Sequence, residues 1–124
     1  MVGLRIIFAE NDIVLNEAVC EFLQSLSIEV ICVYSGIAAI EAISRLEYLT
    51  ALLTEVNLGP GPDGFDVARY ARELYPHLPV VFVSGAIGSR HAANGFAESA
   101  FVAKPFHQRQ ILKALGQVIR LEAA

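Results

Sequence analysis

Five short apolar runs, each closed by polar or turn residues, alternate with longer stretches whose apolar positions recur every three or four residues. The runs are Leu4–Ala9, Ile28–Val33, Leu49–Thr54, Pro79–Val83 and Ala100–Ala103, and their length and β-branched content predict strands. Ile13, Leu15, Val19, Phe22, Leu23 and Leu26 mark a first helix with Asp12 as its N-cap, and Ile37, Ile40, Ile43 and Leu46 mark a second after Ser35-Gly36. The Gly/Pro-rich stretch from Gly59 to Gly64 is a loop, followed by a third helix from Phe65 to Tyr75 that stops before Pro76. The span Gly85–Phe96 predicts a fourth helix, weakened by Gly88 and Gly95. Ile111, Leu112, Leu115, Val118, Ile119 and Leu121 draw the stripe of a closing helix. Continuous apolar strands separated by amphipathic helices imply a parallel sheet covered on both faces, with right-handed crossovers: an α/β, doubly wound sandwich.

The residues that close the runs carry the chemistry. Glu10-Asn11-Asp12 follows the first, Glu55 the third, Ser84-Gly85 the fourth and Lys104-Pro105 the fifth. In an open α/β sheet, sites gather outside the carboxyl ends of the strands, so acid, amide, hydroxyl and ammonium are expected in one crevice.

Composition narrows the classes. The 124 residues suit a single domain over 1–124, and charges break every run well short of the ~20 apolar residues that cross a bilayer. Met1 to Arg5 lead into the first strand without the regions of a signal peptide, which predicts a cytoplasmic protein. A net charge of −4 with no Lys/Arg cluster argues against nucleic acid as a partner. Cys20 and Cys32 have no CxxC spacing and fall on apolar faces, so both are expected as buried, reduced thiols. His77, His91 and His107 have no partner at metal-ligand spacing and read as solvated, and Asn57, Asp63 and Asp66 read as turn or helix-start residues.

The acidic turn after the first strand, Glu55-Val56-Asn57-Leu58 with a loop ending Asp63-Gly64, Ser84-Gly85-Ala86, Phe101 and Lys104-Pro105-Phe106 occur in order over the whole chain. Together they resemble the receiver domain of two-component response regulators. The resemblance implies a flavodoxin-like (βα)5 fold with strand order 2-1-3-4-5. In that family two acids after the first strand and an aspartate after the third hold Mg²⁺, and the aspartate accepts a phosphoryl group from a histidine kinase. Carried over, the metal positions are Glu10, Asn11, Glu55 and the backbone carbonyl of Asn57. Glu55 stands at the phosphoacceptor position, and Ser84 and Lys104 would grip the phosphoryl oxygens. Ser84 and Phe101 are the switch positions, with Phe101 more readily read as a core aromatic, and the Lys104–Pro105 bond is often cis in the family. Implied partners are a histidine kinase, another signalling protein, or a second copy through the fourth helix, fifth strand and fifth helix.

Two departures change what the resemblance implies. Asn11 offers a neutral carbonyl where the family has a direct acidic ligand, and Mg²⁺ demands hard oxygen donors in tight octahedral geometry. Glu55 is one methylene longer than aspartate, and in-line phosphoryl transfer depends on position to less than that displacement. A register slip placing Asp12 in the metal role is an alternative. The reading these residues favour is a pseudo-receiver that is no enzyme, works by protein contact and binds Mg²⁺ weakly or not at all. Its longer anion reaches toward Ser84 and Lys104 as a partial imitation of a phosphoryl group. The alternative is a receiver still phosphorylated with Mg²⁺. A flavin or nucleotide carrier on the same fold is disfavoured, because no Gly-rich or Ser/Thr-rich phosphate loop follows the first strand.

Overall fold

A computed structural model describes residues 3–86 and 88–123, with side chains through Ile119; the predicted roles of Met1 and Val2 lie outside the described residues, and that of Leu121 outside the described side chains. The elements run β1 (Arg5–Ala9), α1 (Ile13–Ser25), β2 (Glu29–Val33), α2 (Gly36–Arg45), β3 (Ala51–Glu55), α3 (Gly64–Leu74), β4 (Val80–Ser84), α4 (Ser89–Ala93), β5 (Ser99–Ala103) and α5 (Gln108–Ala123). The five strands form one parallel sheet in the order β2-β1-β3-β4-β5. This is the flavodoxin-like arrangement expected.

Because successive strand residues face opposite sides, each strand feeds two cores. Ile6 and Phe8 of β1 join Val19 and Leu23 of α1 and Ile111, Leu115 and Val118 of α5 on one face. Ile7 and Ala9 join Ile43 of α2 and Val67 and Ala71 of α3 on the other. Strands β1, β3 and β4 are covered on both sides, which is why they read as unbroken apolar runs rather than alternating ones.

The caps follow the sequence. Asp12 Oδ1 accepts from Leu15 N at 3.1 Å and Ser35 Oγ from Ala38 N at 3.1 Å. Asp63 Oδ1 accepts from Asp66 N while Asp66 Oδ2 accepts from Asp63 N, a reciprocal box that assigns both acids to starting α3. Asp63→Ala is expected to cost about 1 kcal/mol, readable as a fall in the urea midpoint with an unchanged m-value.

Four features differ from expectation. The α1 stripe is exposed at its two ends: Ile13 is 60% exposed, and Leu26 is also exposed. The polar Asn16 is fully buried. Ile37 of α2 and Leu112 of α5, both predicted for the core, are likewise exposed. Helix α4 is only the five residues Ser89–Ala93, because Gly88 sits in the left-handed region at φ 91° and the chain turns again at Asn94-Gly95. Finally, Cys20 and Cys32, expected as separate reduced thiols, are joined as a disulfide with Cα atoms 6.7 Å apart. Packing of α1 along β2 brings the two together, and a separation of 12 residues across a helix end, a loop and a strand carries no local signature of it.

Candidate functional site

The carboxyl ends of β1, β3, β4 and β5 converge as their order requires. Glu10, immediately after β1, is fully buried; Glu55 is the last residue of β3 and 8% exposed; Ser84, the last of β4, is 2% exposed. Lys104 follows β5 and reaches across the sheet edge. Its Nζ lies 2.6 Å from Glu10 Oε1 and 3.2 Å from Glu55 Oε1, so one ammonium bridges both carboxylates. Among the described residues Glu10 Oε1 makes no other polar contact, and the ion pair is what compensates its burial.

Asn16 holds the first turn from beneath. Its Nδ2 donates to Glu10 O and to Val33 O, both at 2.9 Å, tying the ends of β1 and β2 to α1. Its Oδ1 lies 3.3 Å from Cys20 Sγ, a contact rather than a hydrogen bond because a disulfide sulfur carries no proton. Sequence reasoning missed this residue. Its signal is the helical spacing of 16, 19, 20 and 23, which sets Asn16 on the buried face with Val19, Cys20 and Leu23.

The remaining oxygens of the carboxylates are bound locally. Glu10 Oε2 accepts from Asp12 N at 3.0 Å. The Asn11 carboxamide, in the orientation that pairs donor with acceptor, places its nitrogen 3.1 Å from Glu10 Oε2 and 3.3 Å from Asn57 O. Glu55 folds back: its Oε2 accepts from Val56 N at 2.9 Å, sharing a proton that Val83 O also accepts. The extra methylene is thus used in curling toward its own backbone, and Ser84 is not reached. Ser84 Oγ accepts instead from Ala86 N at 3.0 Å and donates to Ser89 Oγ at 3.1 Å.

Burial raises the Glu55 pKa, and the Glu10 charge adds to this; the Lys104 ammonium and the hydrogen bonds from Lys104 and Val56 oppose it. Burial alone would lower the Lys104 pKa, but the combined pull of Glu10 and Glu55 outweighs it and the net shift is upward. A carboxyl raised in the folded state contributes stability below its unfolded value, and that contribution is lost as pH rises through the folded value. Glu55→Gln is therefore expected to remove a decline in stability that the native chain shows as pH rises from 4.5, seen as parallel rather than converging melting curves. The Lys104 contribution is present below 10.5 and lost above its raised value, so melting should fall again in strong alkali.

The other predicted positions are placed as follows. Asp12 is exposed, its carboxylate caps α1 by accepting from Leu15 N, and its backbone N–H donates to Glu10 Oε2. Phe101 is half-buried against the α4 side of the sheet, with the Arg90 guanidinium 4.7 Å from its ring centroid. The Lys104–Pro105 bond is cis. His77 is exposed and lies 3.1 Å from Glu98, while His107 Nδ1 accepts from Arg109 N at the start of α5. Gly64 begins α3 directly against β3, and a Cβ there would overlap the carbonyl of Glu55. Gly64→Ala is expected to cost at least 1–3 kcal/mol, roughly the range for overpacking, and to appear as a depressed melting temperature. Among the described residues no three His, Cys, Asp or Glu side chains gather to hold a metal ion, and no helix is long and apolar enough to cross a membrane.

Residues 6–116 match the family model of the response regulator receiver domain. The chain belongs to that family. Receiver domains are signalling modules of two-component systems that typically bind Mg²⁺ and meet histidine kinases and other signalling proteins. Among curated relatives, this receiver is 31% identical to the response regulator protein FleR of Pseudomonas aeruginosa over 121 residues, covering 92% of this chain and 25% of FleR. It is 26% identical to the response regulator receiver protein CpdR of Brucella abortus, covering 93% and 96%. The chain spans a quarter of FleR and about half of TmoT, but nearly all of CpdR. Among solved structures, a response regulator receiver protein from Sinorhizobium medicae superposes with a TM-score of 0.87 at 30% identity, covering 95% of each chain. The receiver domain of the sensor histidine kinase PA1611 of Pseudomonas aeruginosa, solved with magnesium coordinated in its active-site cleft, gives 0.80 at 26% identity, covering 96% and 99%.

Proposed function

We propose that this receiver is a pseudo-receiver: it takes part in phosphorelay signalling through protein contact, with Glu55 held permanently at the phosphoacceptor position, and is neither phosphorylated in the usual way nor dependent on Mg²⁺. The observation that carries this reading is the Lys104 ammonium shared by Glu10 and Glu55, with the neutral Asn11 carboxamide rather than a third carboxylate beside Glu10 Oε2 and Asn57 O. The amide satisfies both oxygens with its nitrogen turned toward them, and with its oxygen turned toward them it offers a cation one neutral donor and no charge. The two carboxylates that remain, Glu10 and Glu55, already share the Lys104 ammonium. A neutral amide and an internal ion pair do not fit a divalent ion that needs several anionic or carbonyl oxygens free to converge on it.

Glu55 imitates a phosphoryl group in part. It engages Lys104, but Ser84 is turned to Ser89 and to Ala86 N, so one of the two expected grips is made. A carboxylate also carries less charge and fewer acceptor oxygens than a phosphoryl group. The switch is therefore biased rather than fully thrown. The partner is a histidine kinase, another signalling protein or a second copy, met at the face of α4, β5 and α5.

Intact mass after incubation with acetyl phosphate and Mg²⁺ tests the reading. The native chain is expected to keep its mass, with no Mg²⁺-dependent rise in melting temperature. Gain of one phosphoryl group would overturn the proposal in favour of a receiver that still accepts phosphate.

A further inference from the structure

We propose that the open edge of β5 takes an extended, acidic segment of a partner protein as a sixth strand; this rests on the contact-based reading above and specifies the chemistry of the contact. Strand β5 ends the sheet and pairs with β4 alone. Main-chain bonds to β4 and its flanks are made at even positions, Val80 N to Glu98 O and Lys104 N to Ser84 O. In a parallel ladder the intervening residues Ser99, Phe101 and Ala103 turn their N–H and C=O groups to the open side. An unpaired edge of this kind is a template for another chain.

The walls of that edge are built for such a chain. A groove of about 320 Å³ runs along β5 between α4 and α5. Alanines at 100, 103 and 114 keep side chains short where a backbone would approach. From α5, Gln110, Lys113 and Gln117 line the groove at the i, i+3, i+7 spacing of one helix face, and Arg90 of α4 stands opposite, stacked on Phe101.

Charge selects the occupant. The chain as a whole is acidic, at −4, yet no acidic side chain lines this groove and neither Arg90 nor Lys113 has a carboxylate partner among the described residues. Every charged residue from Ser99 to Arg120 is basic: Lys104, Arg109, Lys113 and Arg120. A segment with carboxylates flanking its extended backbone matches both the edge and the walls, with electrostatics steering encounter and register.

The test uses a fluorescein-labelled peptide of alternating glutamate and valine, long enough to run the five residues of β5. Its controls are the same peptide with alternate amides N-methylated and a glutamate/alanine peptide that forms a helix. Anisotropy is expected to show binding of the first alone, weakened roughly tenfold by Lys113→Glu and further by Arg90→Glu with Lys113→Glu. Amide NMR shifts are expected at Ser99, Phe101 and Ala103. No binding, or equal binding of the methylated or helical peptide, overturns strand addition, as does binding indifferent to the charge reversals. Lys113→Glu leaves the Arg90–Phe101 stack untouched, so a folded variant is at hand. Because no phosphodonor is present, failure here is separable from failure of the pseudo-receiver reading, which the mass measurement decides alone.

Discussion

Lys104→Gln is expected to lower stability at pH 7 by about 3–5 kcal/mol, the usual cost of removing one partner from a buried ion pair. The ammonium is the common counter-charge of Glu10 and Glu55, which are 0% and 8% exposed, and without it two carboxylates face each other out of water. For a domain of this size that loss corresponds to a melting temperature lower by roughly 10–25 °C. The pH dependence distinguishes this cause from a simple packing defect. Burial already raises the Glu55 pKa, and without the opposing ammonium it rises further, so the missing stability returns as pH falls and grows as pH rises. Melting curves of native and variant chains should approach one another toward pH 4.5. Removing Glu55 as well, as Glu55→Gln with Lys104→Gln, leaves only Glu10 uncompensated and should cost less than the sum of the single changes. Additive losses would mean that the bridge contributes little.

The second large effect is a gain of chemistry. Asn11→Asp together with Glu55→Asp is expected to convert a chain inert to acetyl phosphate and Mg²⁺ into one that gains a single phosphoryl group at position 55. The first change replaces the neutral carboxamide beside Glu10 Oε2 and Asn57 O with an anionic oxygen. The second shortens the acid, so that it no longer folds onto Val56 N and leaves room for a phosphoryl group within reach of Lys104. In the transfer, the P–O bond to acetate breaks, the carboxylate oxygen bonds to phosphorus, and acetate leaves. Such transfers depend on positioning and charge neutralisation more than on covalent activation by the protein, which is why two side chains suffice. A Mg²⁺-dependent rise in the variant's melting temperature should accompany it. A double variant that stays unmodified would show that the Ser84–Ser89 arrangement also blocks the pocket.

The sequence carried the fold because three of the five strands are buried on both faces and read as uninterrupted apolar runs. Boundaries moved by a residue or two: β3 starts at Ala51 rather than Leu49 and ends on Glu55, so the acid predicted to follow the strand is its last residue. Helix α4 was overcalled because small residues such as Ala92-Ala93 permit a helix without demanding one, and the glycines on either side decide the matter. Glu10, Glu55, Ser84 and Lys104 were legible as a group because strand ends converge whatever the side chains do. What they bond to was not. The backward curl of Glu55 and the turning of Ser84 toward Ser89 depend on torsions and on neighbours fixed only in three dimensions. Asn16 and the Cys20–Cys32 link were hidden for a related reason: each joins a helix to strand ends that the chain reaches only after folding back.

The bridge from Lys104 to Glu10 and Glu55 has a consequence for control. On the proposed pseudo-receiver reading, a pocket whose two carboxylates already share an internal ammonium answers to neither donor nor ion, and covalent marking would give no lever on its activity. On that reading the lever that remains would be abundance: synthesis and degradation would set how many copies compete for a partner, and the response would be graded in dose rather than timed by turnover of a labile bond.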